Sequence, residues 1–235
     1  MAETALRWLR MHPWKTFLIV VILGVAAELM TIPWLEVARL KTENPRMTAL
    51  MRQRVDEARS EGRKLTITQS WVPLARIPKD VLQEIIVAED GTFYTHGGID
   101  WFEVQASIEK DVEKRRAVRG ASTITQQLAK NLFLSTSKDP VRKAKELIIT
   151  LLLEHDLSKD RILELYVNEI EWGRGIFGIE AAARNYFGTS ASALTAEEGA
   201  RLAAVIPSPD QLNTARAAVK AQWDSVVGLD IKSGQ

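Results

Sequence analysis

Two acidic residues stand at the end of an apolar run, directly before a cluster of aromatic, histidine and glycine residues. The segment reads AEDGTFYTHGGID at residues 88–100, and its acids are Glu89 and Asp90. Apolar surroundings raise the pKa of a carboxyl group, which would suit Glu89 to proton transfer near neutral pH. Asp90 points about 100° away around a helix, so the two acids cannot form a touching dyad. We predict a base in Glu89 and a structural hydrogen-bond acceptor in Asp90, with a purely structural corner as the alternative.

A second polar segment follows at residues 120–131, GASTITQQLAKN. Its hydroxyls, its adjacent amides and Lys130 offer neutral donors plus one cation, a set that suits sugar hydroxyls and a phosphate. Basic residues also cluster at 114–119 (KRRAVR) and at 142–146 (RKAKE). Lys and Arg bind anionic oxygens through charge-assisted hydrogen bonds. For residues 114–119, a solvated helix face is an equally good interpretation.

The composition limits the classes of function that this chain can have. Its 235 residues, 46% of them hydrophobic, predict one domain with appendages. A net charge of +1 gives no overall field that would attract nucleic acid. The absence of cysteine excludes disulfides and thiolate nucleophiles, and three histidines make a zinc hydrolase improbable.

The first 40 residues predict a membrane anchor. Residues 17–35 are almost entirely apolar and would span about 28 Å as a helix, close to one bilayer core. Basic residues within 1–16 place that segment in the cytoplasm and the remainder of the chain outside. A cleaved signal peptide is the alternative, although no small-x-small cleavage site follows the apolar run. Glu28 is unusual, because a carboxylate at that depth costs about 2.5–3.5 kcal/mol and should be protonated, snorkelling or facing a partner.

The remainder of the chain predicts a mainly helical domain. Residues 36–64 are highly charged and predict a juxtamembrane linker with a short helix. Residues 65–74 alternate and are the only good strand candidate, whereas helical periodicity dominates after residue 78. GRGIFG at 173–178 satisfies the dinucleotide-binding pattern, but a helix is predicted before it. We therefore expect those glycines to form a tight turn with a close backbone approach.

Five segments, in this order and at these separations, resemble the successive motifs of the peptidoglycan glycosyltransferases. They are EDGTFYTHGG, GASTITQQLAKN, RKAKE, KDRILELYVNEIEWG and RLAAVIPSP. This family forms the polymerising domain of class A penicillin-binding proteins and, on a membrane anchor alone, the monofunctional biosynthetic transglycosylases. The resemblance covers about residues 65–209 and implies a mainly α, lysozyme-like glycosyltransferase domain on a single N-terminal transmembrane helix. Residues 210–235 resemble the family's arginine-rich tail only faintly, and we expect a divergent tail there.

The resemblance also implies roles for individual residues. Glu89 would be the general base that takes the proton from the sugar 4-hydroxyl of an incoming lipid II. Glu146 would be the second essential acid, supporting the departing diphosphate directly or through a divalent cation, Mg²⁺ or Mn²⁺, and no other cofactor is expected. Lys130 would hold the donor pyrophosphate. Residues expected to bind substrate beside it are Asp90, Phe93, His96, Ser122, Thr123, Gln126, Gln127, Asn131, Arg142 and Lys143.

The implied reaction joins a lipid-linked glycan strand to lipid II through a β-1,4 bond, with inversion and loss of undecaprenyl diphosphate. Such a displacement needs a base and cations for the leaving group, but no enzyme nucleophile. The expected partners are both lipid substrates, the bilayer and other cell-wall synthesis proteins, with no nucleic acid. The expected location is the bacterial inner membrane, with the catalytic domain on its extracytoplasmic side.

Two other functions remain open from the sequence. A lytic enzyme could cleave murein with Glu89 as general acid, although an uncharged glycan would give Lys130 and Arg142 little to bind. An inactive, membrane-tethered scaffold for cell-wall partners is the other alternative. Its support is Gly91, where relatives usually carry a larger residue, together with the weak tail.

Overall fold

The structure, a computed structural model, describes residues 11–114, 122–137, 139–204 and 206, and these are mainly helical. The α-helices are α1 (Pro13–Met30), α2 (Trp34–Arg39), α3 (Ala49–Ser60), α4 (Lys79–Glu89), α5 (Trp101–Lys114), α6 (Ile124–Phe133), α7 (Pro140–Asp156), α8 (Lys159–Glu169), α9 (Ile179–Phe187) and α10 (Ala196–Ala203). Three short strands are β1 (Thr68–Gln69), β2 (Glu171–Gly173) and β3 (Ile176–Phe177), and short 3₁₀ turns lie at Leu74–Arg76 and Ala191–Ala193.

The apolar helix α1 projects from the domain. It begins with Pro13, a residue that fits a first helical turn, and none of its residues is buried. Within the described residues, Pro13–Arg39 is the one helical stretch long and apolar enough to cross a membrane, which agrees with the predicted anchor by length and composition. Glu28 forms an ion pair with Lys145 on α7. Of the three alternatives given for Glu28, the one in which it faces a partner agrees with this ion pair.

Residues 36–64 are more than the predicted linker with one short helix. Val37 on α2 is fully buried in the main core. Met51 on α3 is also fully buried and forms a small second cluster with Phe177 of β3. The Thr48 hydroxyl caps α3 by accepting a hydrogen bond from Met51 N at 3.1 Å. Because this segment is highly charged, its sequence does not reveal the few apolar residues that pack against the domain.

The main core lies among α4, α6, α7, α8 and α10. Helix α4 packs on α10, and α6 packs on both α7 and α8. The largest fully buried side chains are Trp172, Tyr166 and Phe93. Because α6 lies between α7 and α8, its polar residues are close to side chains that come from both neighbours.

A small sheet contains part of the glycine-rich segment at residues 173–178. Strand β1 is parallel to β3, and β2 is antiparallel to β3. The strand candidate at 65–74 is thus shorter than predicted, and β2 and β3 were not predicted because strands of two or three residues show no alternation. Gly178 has a φ of +80°, and a Cβ there would lie 2.7 Å from the carbonyl oxygen of Asn168. The tight turn and close approach are confirmed, and the helix predicted before them ends at Glu169, so that Gly173 is the last residue of β2.

Gly98 is the position where we expect a methyl group to be most damaging near the site. Its φ is +86°, and a Cβ would lie 2.7 Å from Glu154 Cγ and 2.8 Å from Thr150 Cγ2 on α7. Glu154 cannot withdraw easily, because it is hydrogen-bonded to Thr125 and Lys159. We expect Gly98→Ala to lower the free energy of unfolding by about 2–3 kcal/mol, from backbone strain and overpacking together.

Gly91→Ala is the matched control for that substitution. A Cβ at Gly91 would meet no described atom within 4 Å, and its φ is not positive. We expect a change within about 0.5 kcal/mol in denaturant unfolding of the full chain. Equal losses in the two variants would contradict the packing that the structure shows around Gly98.

Candidate active site

Glu89 is the last residue of α4 and is half-buried. The apolar residues that precede it on α4 anchor it, because Val81 and Ile85, two turns and one turn earlier on the same side of the helix, are buried in the core. Gln127 on α6 donates a hydrogen bond from Nε2 to Glu89 Oε2 at 2.6 Å. The fold therefore joins the acid of the first polar segment to an amide of the second, as the resemblance implied.

Tyr166 on α8 fixes the orientation of that amide. Its hydroxyl donates to Gln127 Oε1 at 3.1 Å, which leaves Gln127 Nε2 to face Glu89. Burial, followed by the charges of Glu89 and Asp90, raises the pKa of Tyr166 well above its ordinary value. The hydroxyl consequently remains a donor throughout the physiological pH range, and because it also interacts with Glu89 directly, Tyr166, Gln127 and Glu89 form one hydrogen-bonded cluster.

We expect Tyr166→Phe to lower kcat for glycan polymerisation about tenfold with little change in KM. Without the hydroxyl, the half-buried Gln127 loses the donor to its Oε1, and the amide loses its fixed orientation toward Glu89. Initial rates with lipid II would separate kcat from KM. Tyr94→Phe is the control, because Tyr94 is 53% exposed and donates to Asp160 rather than to Gln127. Equal effects in both variants would remove the orienting role.

Asp90 joins the first polar segment to the start of α6. Its Oδ2 accepts a hydrogen bond from Ile124 N at 3.0 Å, and its Oδ1 lies 2.8 Å from His96 Nε2. Gly98 N donates to His96 Nδ1 at 3.1 Å, so Nδ1 carries no proton and Nε2 must be the donor to Asp90. The Thr123 hydroxyl then donates to the Gly98 carbonyl at 2.7 Å. The predicted structural role of Asp90 agrees with these bonds.

Asp90, His96 and Asp100 place possible metal-ligand atoms within 4.8 Å of one another. However, Asp100 already accepts hydrogen bonds from the Thr92 hydroxyl and, at 3.0 Å, from Glu103 N. The hydrogen bond from Thr92, and to a smaller extent that from Glu103 N, lowers the pKa of Asp100. Asp90 and His96 likewise accept hydrogen bonds from backbone N–H groups. The three side chains therefore hold the backbone around Glu89 in place.

Glu146 on α7 organises the basic residues of the site. It is buried, and it accepts a hydrogen bond from Arg142 Nη1 at 2.6 Å and another from Lys143 Nζ. The spacings of four and three residues place both cations on the Glu146 side of the helix. Asp139 begins α7 by accepting a hydrogen bond from Arg142 N at 2.7 Å.

Lys130 on α6 shares an electrostatic environment with both acids. Its pKa is lowered, first by burial and then by the charges of Arg142 and Lys143, while Glu146 and Glu89 oppose the shift. Three cations and two acids therefore occupy one region between α4, α6 and α7. Such a region can bind a dianionic leaving group while a nearby base takes up a proton.

The arrangement around Glu146 does not fit a divalent cation held by this residue. Both of its oxygens already accept bonds from Arg142 and Lys143, and Mg²⁺ requires oxygen ligands that are available for coordination. The two basic side chains supply positive charge at this position. We derive no catalytic step through Mg²⁺ or Mn²⁺.

Several residues expected to bind substrate form the framework of the site. Phe93 is fully buried, with Lys159 Nζ 4.5 Å from its ring centroid. Thr123 and Gln126 form a capping box at the start of α6. These residues, together with the buried Asp90 and the half-buried His96, hold the framework of the site, and direct substrate contact by them stays a prediction. Ser122, Gln127, Lys130, Asn131, Arg142 and Lys143 stay predicted contacts, and the basic residues 115–119 lie outside the described residues.

Tyr166 is the residue of this site that the sequence analysis missed. Its helix buries Ile162, Leu163 and Val167 at helical spacing, and Tyr166 belongs to the same face. A buried tyrosine needs a hydrogen-bond partner for its hydroxyl. The helical spacing that buries Tyr166 could therefore have indicated that its hydroxyl bonds to another residue. The sequence could not identify the partner, because Gln127 is 39 residues away.

An oriented carboxylate beside a cluster of cations, in a helical domain, is characteristic of an enzyme that transfers a group from an anionic leaving group. Comparisons with known proteins define the class. A family profile described as Transglycosylase matches residues 58–229, and the chain belongs to this family. The match continues past residue 209 into the segment expected to be a divergent tail.

Relatives named "Biosynthetic peptidoglycan transglycosylase" cover most of the chain. The protein of Herminiimonas arsenicoxydans is 44% identical over 183 residues, which is 78% of this chain and 79% of the relative. That of Aromatoleum aromaticum is 51% identical over 166 residues, covering 71% and 72%. That of Dechloromonas aromatica is 49% identical over 175 residues, covering 74% and 76%.

Proposed function

We propose that this enzyme polymerises lipid II into β-1,4-linked glycan strands with inversion, releasing undecaprenyl diphosphate. The observation that carries the proposal is the pairing of Glu89 with Gln127 in the same region as Lys130, Arg142 and Lys143. The family and the names of its relatives support the same activity.

Glu89 acts as the general base in this proposal. As the 4-hydroxyl oxygen of lipid II attacks C1 of the donor sugar, its proton passes to the Glu89 carboxylate. The bond between C1 and the diphosphate oxygen breaks, and its electron pair leaves with the diphosphate. Gln127 holds one carboxylate oxygen, so the base is oriented before the acceptor binds.

The cations stabilise the charge that develops on the leaving group. Lys130, Arg142 and Lys143 donate to the diphosphate oxygens through charge-assisted hydrogen bonds. Glu146 holds Arg142 and Lys143 in place and balances their charge while the site is empty of substrate. In this proposal, the second acid of the family acts by positioning cations.

The anchor brings the site to its substrates. Both substrates carry lipid chains and are confined to a bilayer, so a helix that holds the domain at the membrane raises their effective concentration. We place the domain on the extracytoplasmic face of the bacterial inner membrane, because basic residues precede the apolar span.

The test is incubation of the purified full chain with labelled lipid II in detergent or liposomes. The expected product is long glycan that lysozyme digests. Release of soluble fragments from sacculi without lipid II would instead support the lytic alternative, and the absence of both activities would support the scaffold.

A further inference from the structure

A cavity of about 840 Å³ lies where the anchor meets the domain. One wall is formed by the junction of α1 and α2 at residues 31–33 and by α2, and another by the loop at residues 40–48. The end of α6 and the middle of α7 complete it. None of the acids and cations assigned above to catalysis is among the described residues that line the cavity.

The lining of this cavity is amphipathic, with four basic and two acidic side chains, although the charge of Lys145 is already paired with Glu28. Its cations are Arg39, Arg46, Arg52 and Lys145, and its acids are Glu36 and Glu43. The apolar part of the lining consists of Ile32, Leu40, Leu132, Phe133, Leu134 and Ile149. A ligand that satisfies both parts has an anionic head and a hydrocarbon portion, because guanidinium groups bind phosphate oxygens well and apolar walls exclude water.

The loop wall of the cavity is fixed by the domain itself. Arg161 on α8 donates to the carbonyl of Leu40 at 2.8 Å and to Asn44 Oδ1 at 2.8 Å. Arg161 Nη2, the atom that donates to Asn44, also donates to the carbonyl of Glu43 at 2.9 Å. The cavity is therefore preformed, and a ligand does not have to order the loop when it binds.

The position of the cavity indicates where the ligand comes from. Met30, Trp34 and Leu35, at the junction of α1 and α2, are 85%, 48% and 73% exposed. Exposed apolar and tryptophan side chains at the end of a membrane helix mark the level of the lipid headgroups. Thr31, Ile32 and Pro33 of this junction line the cavity, which puts it within reach of lipid phosphates when α1 lies in a bilayer.

We propose that this cavity binds the headgroup of an anionic glycerophospholipid, with its phosphate at Arg39 and Arg46 and its chains along the apolar end of the anchor. This inference rests on the proposed placement of α1 in a bilayer. A bound headgroup would link the anchor, the loop at 40–48 and α7, the helix that carries Glu146. It would thereby stabilise the domain at the membrane surface.

The test uses the purified full chain in detergent, titrated with short-chain phosphatidylglycerol, short-chain phosphatidylcholine and inorganic phosphate. Binding is measured by native mass spectrometry and by the thermal unfolding midpoint. The variant Arg39→Gln/Arg46→Gln removes two cavity cations. Arg59→Gln/Arg76→Gln removes two exposed arginines outside the cavity and is the matched control.

We expect phosphatidylglycerol to bind the unchanged chain and the control equally, and the cavity variant about 25-fold more weakly, from roughly fivefold for each basic residue. Equal binding by the cavity variant would overturn the proposal. So would equal binding of inorganic phosphate or phosphatidylcholine, or displacement of phosphatidylglycerol by undecaprenyl diphosphate, which would assign the cavity to the substrate. Unfolding midpoints without lipid show whether each variant is folded.

The result of the lipid-binding experiment does not depend on the result of the polymerisation assay. Lipid II turnover is measured on the same preparations in detergent without phosphatidylglycerol. Specific phosphatidylglycerol binding by a chain that cannot polymerise lipid II would refute the proposed function and leave the lipid site standing.

Discussion

Glu89→Gln is expected to reduce kcat/KM for lipid II polymerisation by about 10²–10⁴-fold, the usual contribution of a general base. Glutamine has nearly the same volume and can still accept a hydrogen bond from Gln127, but it cannot take up the proton of the sugar hydroxyl. The measurement is the initial rate of glycan formation. Glu84→Gln, on the same helix but without a role in the site, should leave the rate unchanged.

Full activity of the Glu89→Gln variant would eliminate the base assignment, provided that its unfolding midpoint matches that of the unchanged chain. The sequence also predicts a raised pKa for Glu89, which is tested separately. An acid limb of the rate profile above about 4.3, the ordinary pKa of a glutamate, would support that prediction.

Glu169→Gln is expected to have the largest effect on stability, and the effect should depend on pH. Glu169 is fully buried at the end of α8, and among the described residues the interaction of its carboxyl group with Gln69 falls short of normal hydrogen-bond geometry. Burial raises the pKa of Glu169 to about 8, although Gln69 and the charge of Arg161 partly oppose the shift. The folded chain therefore keeps this carboxyl protonated at neutral pH, whereas the unfolded chain releases the proton above pH 4.5.

The sign of the effect follows from this difference in bound protons. Because the folded state binds more protons between pH 4.5 and 8, stability falls as pH rises through that interval, by about 1.4 kcal/mol per unit. Glutamine resembles the neutral acid and has no such loss. We expect the variant to gain several kcal/mol relative to the unchanged chain between pH 5 and pH 8.

Denaturant unfolding of both proteins at pH 5 and pH 8 provides the measurement. Glu197→Gln is the control, because Glu197 is exposed and its pair with Arg201 contributes little at either pH. Parallel pH dependence of the Glu169→Gln variant and the unchanged chain would show that Glu169 is already ionised in the folded protein.

The helices and the main acids of the site were predictable because their signals are local. The apolar spacing from Val81 to Ile86 predicted α4, and this helix carries Glu89 to the site. The ordered motifs also assigned Glu89, Lys130 and Glu146 to one site, a prediction that periodicity alone could not make. The electrostatic environment of Lys130 includes both acids.

The features that escaped prediction depend on contacts distant in sequence. The burial of Val37 and Met51 is decided by surfaces on α7 and β3, so a charged segment concealed two docked helices. The sequence of α8 does not show that Glu169 loses all contact with water. The acid framework around His96 likewise depends on one backbone donor, Gly98 N, whose direction no side-chain pattern reveals.

The ion pair between Glu28 and Lys145 restricts how the domain can turn about its anchor. Lys145 is adjacent to Glu146, so one end of α1 is attached to the helix that organises the cations. Ile32 and Val37 strengthen this attachment through burial in the core. With the anchor in a bilayer, swivelling of the domain is limited, and the growing polymer would emerge at a defined angle to the membrane plane.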